Sequence, residues 1–105
     1  MDYYKVVVYV PEQFLNKMME EINFSMSPIC DHYDHVFSYS KIKGTWRPLP
    51  GAQPYEGKIG EIQEAEEIKL EFTIKTIEIE SVLNAIKITH PYEKPVIDVY
   101  PIKIF

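Results

Sequence analysis

The alternation of apolar and polar positions along the chain predicts four strands. Residues 3–10 are almost entirely β-branched or aromatic, which is typical of a central strand buried on both faces. Residues 64–75 alternate apolar with charged or polar side chains, so one face of that strand is expected to be buried and the other solvated. Residues 35–42 and 96–105 predict two further strands. Pro101 places the last strand at a sheet edge or at a bulge.

Two segments have the apolar spacing of amphipathic helices. Pro11 and Glu12 open the first helix, because proline is tolerated in the first turn and a carboxylate is favourable at the positive end of the helix dipole. We interpret its apolar stripe as core packing rather than as a methionine-rich ligand surface. The stripe consists of Phe14, Leu15, Met18, Met19 and Ile22. The second helix carries Ile79, Val82, Leu83 and Ile86 and ends near His90.

The element order β-α-β-β-α-β predicts an α+β fold, the ferredoxin-like sandwich with an antiparallel sheet and both helices on one face. Residues 1–105 have the length of a single domain. The second face of such a sheet needs cover, and the aromatic content indicates that another subunit provides it. Homo-oligomerisation is therefore expected.

The acidic balance of the chain restricts its partners. A net charge of -5 argues against general binding to nucleic acid or to an anionic membrane, because both need a positive surface. The single cysteine, Cys30, cannot form an internal disulfide, and the chain has no signal-peptide pattern and no long apolar run. These features favour a cytoplasmic location.

Residues 43–62 are rich in proline and glycine and predict a long loop with a functional role. Trp46 and Arg47 lie in this loop among prolines, where they could form a stiff recognition surface or pack against a neighbouring subunit. Both interpretations stay open. The glycines do not have the spacing of a phosphate-binding loop.

The run from His90 to Pro95 forms a polar corner between the second helix and the last strand. His90 and Glu93 could act as an acid-base pair or share a ligand, with Tyr92 between them. A structural interpretation is the stronger one: His90 caps the carbonyl end of the helix, and the prolines fix the turn.

A second cluster of ligand types precedes the second strand. His32, Asp34 and His35 could bind a divalent metal ion, since imidazole and carboxylate groups are suitable ligands. In an extended segment His32 and Asp34 would point away from His35, so a turn would be needed to bring the three together. The alternative is a polar loop whose histidines form local hydrogen bonds.

Several of these motifs together resemble the PII/CutA-like domain of the YqfO and Nif-three-like family. The matching residues are Tyr33, His35 and Phe37, the run Gly44–Pro54, the run Gly57–Gly60, Glu66, Glu71 and the run His90–Pro95. In that family the domain is inserted in a larger hexameric protein with a dinuclear metal centre, and it also occurs alone, as we expect for this chain. The His-Pro-Tyr-Glu corner is also similar to that of CutA proteins, which are trimers associated with divalent-cation tolerance.

The resemblance implies a trimer with clefts between subunits, near the long loop and the His90 corner. It implies no known reaction, because the ligands of the family's metal centre lie in the larger domain. The leading hypothesis is a non-enzymatic regulatory or sensor module that binds a small ligand or a divalent metal ion. The candidate cleft residues are His90, Tyr92, Glu93, Trp46 and Arg47. The alternatives are a structural domain that docks on a partner protein through its long loop and, ranked last, an enzyme with His90 and Glu93 as acid and base.

Overall fold

The six predicted elements are present in the predicted order in the computed structural model, which describes residues 2–105. The strands are β1 (Tyr3–Val10), β2 (Ser38–Trp46), β3 (Gln63–Lys75) and β4 (Ile97–Ile102), and the helices are α1 (Leu15–Phe24) and α2 (Ile79–Thr89). A short 3-10 turn precedes each helix, at Glu12–Phe14 and at Thr76–Glu78. Met1, which the predicted domain includes, lies outside the described residues. No described helix is long and apolar enough to cross a membrane.

The four strands form one antiparallel sheet in the order β2-β3-β1-β4. The central position predicted for β1 is confirmed, since β1 pairs with both β3 and β4. β4 lies at one edge, as Pro101 predicted, because a residue without an N–H group is tolerated where no further strand needs a donor.

Both helices pack on the same face of the sheet, where they form the hydrophobic core. Alternate residues of β1 and β3 face them, and the side chains of both strands and both helices belong to one buried cluster. The cluster consists of Val6, Val8, Val10, Leu15, Met18, Ile22, Ile68, Leu70, Phe72, Ile74, Val82 and Ile86. The odd-numbered positions of β1 and β3 therefore lie on the opposite face, which we call the outer face.

The second strand is shifted along the chain from its predicted position. It begins at Ser38 rather than at His35 and continues to Trp46. His35 has φ of 54°, a left-handed conformation that an extended strand does not contain, and the amide of Tyr33 closes a turn by donating to the carbonyl of Cys30 at 3.0 Å. The long loop consequently spans residues 47–62, and Trp46 lies in β2 rather than in the loop. The last strand is also shorter than predicted and ends at Ile102.

Candidate functional site

A cleft of about 560 Å³ opens on the outer face, between the end of β2, the long loop and the corner that follows α2. Four of the five predicted cleft residues line it: Trp46, Arg47, Tyr92 and Glu93. The fifth, His90, lies behind the ring of Tyr92, with 4.7 Å between the ring centroids. The structure thus brings the loop and the corner together within one chain, and the clefts between subunits that the resemblance implied stay a prediction.

His90 is buried, with 7% of its surface exposed, and both of its ring nitrogens are engaged. The backbone N–H of Tyr92 donates to Nδ1 at 3.1 Å, so Nδ1 carries no proton. Nε2 must then carry the proton and donate to the carbonyl of Tyr9 at 2.6 Å. Burial lowers the pKa of His90 below its usual value of 6.5, which favours this neutral form. The ring fastens the corner to β1.

His90 and Glu93 have different partners. The exposed carboxylate of Glu93 accepts a hydrogen bond from the backbone N–H of Gln53 at 3.1 Å, which fixes the long loop to the corner. The backbone N–H of His90 donates to the carbonyl of Ile86 at 2.9 Å at the end of α2. The ring of His90 bonds to β1 and not to the carbonyl end of α2, so the predicted cap of this helix by the His90 side chain is wrong.

The charged group at the base of the cleft is Glu67 of β3, with 8% of its surface exposed. The hydroxyl of Tyr92 donates to its Oε2 at 2.7 Å. Burial and this hydrogen bond raise the pKa of Tyr92 far above its usual range, so the phenol stays protonated. The Glu67 carboxylate occupies the space above Gly44 of β2, where a Cβ atom would clash with Oε1.

Glu67 was not among the predicted site residues, although the sequence contains two signals for it. The alternation of β3 places Glu67 on the outer face, opposite Ile68. Gly44 interrupts an otherwise regular strand, which is typical of a close approach by another group. Neither signal reveals that Tyr92 folds over the carboxylate from a position 25 residues further along the chain.

Aromatic rings form the walls of the cleft. The ring of Tyr92 lies 6.3 Å from Trp46 and 6.0 Å from Tyr55 between centroids, within the range of favourable aromatic contacts. The indole N–H of Trp46 donates to the backbone carbonyl of Glu56 at 3.2 Å. This bond ties the end of β2 to the long loop.

The predicted metal residues lie at a different place, beside the C-terminal half of α1. His35 contacts Asp34 through Nδ1 and Glu20 through Nε2, each at 3.0 Å. These carboxylates raise the pKa of His35, with the Asp34 hydrogen bond as the main cause. Its backbone N–H donates to the side-chain oxygen of Asn23 at 2.8 Å. The side chain of His32 takes no part in these contacts and is exposed.

The arrangement around His35 does not converge on one point, because its two carboxylate partners contact opposite sides of the imidazole ring. Within residues 2–105, no group of three His, Cys, Asp or Glu side chains is placed to hold one metal ion. Metal binding at His32, Asp34 and His35 stays a prediction, and it would require a rearrangement of this turn.

Sequence comparison finds relatives that match most of the length of this chain. A GTP cyclohydrolase 1 type 2 homolog of Staphylococcus epidermidis is 38% identical over 96 residues, which cover 91% of this chain. The corresponding protein of Bacillus subtilis is 30% identical over 99 residues, or 94% of this chain. The matched segment is 26% of the length of each relative, so the chain spans about a quarter of these proteins. No protein-family model matches the chain.

Structural comparison gives the same result. The Bacillus cereus protein related to NIF3 superimposes with a TM-score of 0.84 at 27% identity, over 98% of this chain and 26% of that one. This chain is a homologue of one segment of the NIF3-related proteins. The resemblance expected from the sequence is therefore confirmed.

The ferredoxin-like, PII/CutA-like fold is confirmed as well. The divalent cation tolerance protein CutA of Archaeoglobus fulgidus superimposes with a TM-score of 0.71 at 15% identity, over 98% of this chain and 86% of that one. GlnK of Bacillus subtilis gives a TM-score of 0.65 at 16% identity, over 97% of this chain and 86% of that one. At these identities the likeness concerns the fold.

Proposed function

We propose that this chain is a non-enzymatic regulatory or sensor module that binds a small ligand in the cleft between β2, the long loop and the His90 corner. The observation that carries the proposal is a buried carboxylate, Glu67, at the base of an aromatic-walled cleft of about 560 Å³. Small-molecule sites have volumes of roughly 300–1,000 Å³, mostly apolar walls and a few polar groups in fixed positions. The cleft has each of these properties.

The contacts of His90 support a role without catalysis. A general base needs a free lone pair within reach of the substrate, whereas both ring nitrogens of His90 are engaged with the backbone. The relatives are named as homologs of a GTP cyclohydrolase, and the chain corresponds to a quarter of their length. In this proposal the segment regulates or senses and leaves chemistry to other parts of such proteins.

In this proposal the long loop reports whether the cleft is occupied. It is tied to the rest of the fold by the bond from Trp46 to the Glu56 carbonyl and by the bond from the Gln53 amide to Glu93. Both bonds lie at the edge of the cleft and are exposed. A ligand that displaces either bond would release or reposition the loop, which changes the surface offered to other proteins.

A fragment screen followed by two-dimensional NMR tests the proposal. We expect several small molecules to shift the backbone resonances of Trp46, Tyr55 and Tyr92 at millimolar concentrations, and to shift those of the loop with them. Residues around Cys30 and Tyr33, which lie near the start of β2 at the other end of the sheet, serve as the internal reference. The proposal is wrong if a broad library yields no compound that shifts the cleft residues.

We further propose that the chain assembles as a homo-oligomer, most simply a trimer, through the outer face of its sheet. Tyr100 of β4 lies on this face opposite Lys5 of β1, and 52% of its surface is exposed. A partner subunit on this face would extend the wall of the cleft. Light scattering after size-exclusion chromatography should give the mass of a trimer, and a monomer at micromolar concentration would contradict this part of the proposal.

The same experiment tests metal binding when it is repeated with divalent metal and with EDTA. A trimer that forms only with metal, and that is lost in a His35→Asn variant, would support His32, Asp34 and His35 as assembly ligands. A mass that does not depend on metal, together with no heat of Zn²⁺ binding by calorimetry, would exclude that role.

Docking on a partner protein through the long loop is the second candidate function. The loop exposes Leu49, Ile59 and Ile62, and 75% of the surface of Ile62 is exposed. Large apolar side chains grouped on a surface loop are typical of protein interaction sites. Ligand-independent binding of a partner that is lost in a Leu49→Ser/Ile62→Ser variant would favour this function over small-molecule sensing.

A further inference from the structure

We infer that the cleft selects a small organic cation of the amine or amidine class with an aromatic or apolar body, and that Glu67 is the residue that binds its N–H groups. This inference rests on the proposed function and names the chemical class of its ligand. It follows from the charge at the base of the cleft, the aromatic walls and the charges at the mouth.

The carboxylate of Glu67 is buried and has only part of its hydrogen-bonding capacity satisfied by protein. Oε2 accepts from the hydroxyl of Tyr92, whereas Oε1 lies above Gly44 without a protein donor. Oε1 is not fully enclosed, since residues 2–105 contain no fully buried side-chain oxygen or nitrogen that lacks a partner. Its remaining accessible surface therefore faces the cleft that Glu67 lines.

Among residues 2–105, no Lys, Arg or His side chain forms an ion pair with Glu67. The ion pairs of the described residues involve Glu12, Glu20, Asp34 and Glu71, and none of them includes Glu67. His90 is close enough to feel the Glu67 charge, but burial lowers the pKa of His90 below its usual value and favours the neutral ring. A buried carboxylate without a cation costs free energy, which a ligand with positively charged N–H donors would recover.

The walls suit the same class of ligand. Trp46, Tyr55 and Tyr92 surround the space above Glu67, with neighbouring ring centroids 6.0–6.3 Å apart. The faces of indole and phenol rings carry partial negative charge and attract cations, and they also stack on flat aromatic groups. An anionic ligand would meet the Glu67 carboxylate and these ring faces with the wrong sign.

The charges at the mouth of the cleft do not reverse this preference. Lys43, Arg47 and Lys94 are exposed there, and the exposed carboxylates of Glu56 and Glu93 offset two of the three. Exposed charges are screened by water and salt, so they contribute much less than a buried group. The negative charge of Glu67 at the base of the cleft therefore decides that the cationic end of a ligand enters first.

Three probes with the same benzene ring separate the effect of ligand charge from the effect of ligand shape. Benzamidinium is a cation, benzamide is neutral and benzoate is an anion, and all three have nearly the same size. Trp46 is the only tryptophan of the chain and lies in the wall, so its fluorescence reports occupancy directly. Titrations at physiological salt should give benzamidinium an affinity about tenfold higher than that of benzamide, with benzoate weakest.

A matched pair of variants assigns the selectivity to Glu67. Glu67→Gln keeps an acceptor for the Tyr92 hydroxyl but removes the charge, and it should weaken benzamidinium binding about tenfold while leaving benzamide unchanged. Glu66→Gln removes the same charge from the neighbouring position of β3, which is exposed on the other face of the sheet, and it should have no effect. Far-UV circular dichroism confirms that both variants are folded.

The outcomes separate this inference from the proposed function. Equal binding of the three probes, or tighter binding of benzoate, overturns the inference while leaving a cleft that binds small molecules. A benzamidinium affinity that is the same in Glu67→Gln and Glu66→Gln also overturns it. If no probe binds, the inference is wrong, and the fragment screen decides independently whether the cleft binds other compounds.

Discussion

Replacing Tyr92 by phenylalanine removes a single oxygen atom from the fold and leaves the aromatic wall of the cleft in place. That oxygen is the protein donor to the Glu67 carboxylate, at 2.7 Å. The variant therefore leaves a buried charge without its protein hydrogen bond. We expect a stability loss that is large for the removal of one hydroxyl group.

The magnitude follows from the environment of the pair. A hydrogen bond to a charged group contributes about 1.5–3 kcal/mol. Glu67 is buried, but its second oxygen retains access to the cleft and Tyr92 is only half-buried, so water can replace part of the lost interaction. We expect about 2 kcal/mol, which corresponds to a Tm lower by about 8 °C for a domain of this size.

Urea unfolding followed by far-UV circular dichroism measures this loss. Tryptophan fluorescence is less suitable, because Trp46 lies 6.3 Å from Tyr92 and its signal would change with the substitution itself. The same measurement in a Glu67→Gln background provides the control, since the bond there joins two neutral groups and Tyr92→Phe should cost only about 1 kcal/mol. All variants are compared at one protein concentration.

An equal loss in the two backgrounds would refute this reasoning. It would show that the Tyr92 hydroxyl stabilises the fold through contacts other than the Glu67 charge. A Tyr92→Phe variant as stable as the parent protein would also refute it, and it would show that Glu67 is fully hydrated through the cleft.

Three further predictions concern the same structure. Gly44→Ala should destabilise the fold by about 1–3 kcal/mol, because its Cβ meets the Glu67 carboxylate, and urea unfolding should show a smaller loss in a Glu67→Ala background. Because the pKa of His90 is lowered, its contribution to the free energy of unfolding is complete above pH 6.5 and is lost as the pH falls below that value. The urea midpoint of a His90→Gln variant should therefore change less on acidification than that of the parent protein. The raised pKa of His35 makes stability depend on pH in the opposite direction. Its contacts with Asp34 and Glu20 stabilise the fold fully below pH 6.5 and lose effect as the pH rises through the raised pKa, so the difference between the parent and His35→Asn should shrink in alkaline buffer.

Much of the fold could be predicted because strands and helices leave periodic patterns in the sequence. The bounds of β1 were predicted correctly at both ends, since an uninterrupted apolar run needs no knowledge of its neighbours. The start of β2 was not predicted correctly, because His35 has a left-handed conformation. The backbone N–H of His35 donates to the side chain of Asn23 near the end of α1. A hydrogen bond between residues 12 positions apart leaves no periodic pattern in the sequence.

The candidate site shows the same division. The sequence offered the Trp46 segment and the His90 corner as candidate sites, because aromatic, charged and proline residues are concentrated in them. Proximity in the chain also allowed a pair between His90 and Glu93, as the weaker alternative to a structural role, and the fold does not form that pair. The ring of His90 instead reaches the carbonyl of Tyr9, 81 residues away.

The sequence by itself determined the order of elements and the buried face of the sheet, because both depend on the pattern of residues close together in the chain. The segments near the cleft followed from the family resemblance. Tertiary structure alone decided which charge is buried at the base of the cleft. The register of β3 against β2 sets the Glu67 carboxylate above Gly44, and the turn after α2 lays Tyr92 across it. Burial of a charge is a property of everything packed around it, and no local pattern encodes it.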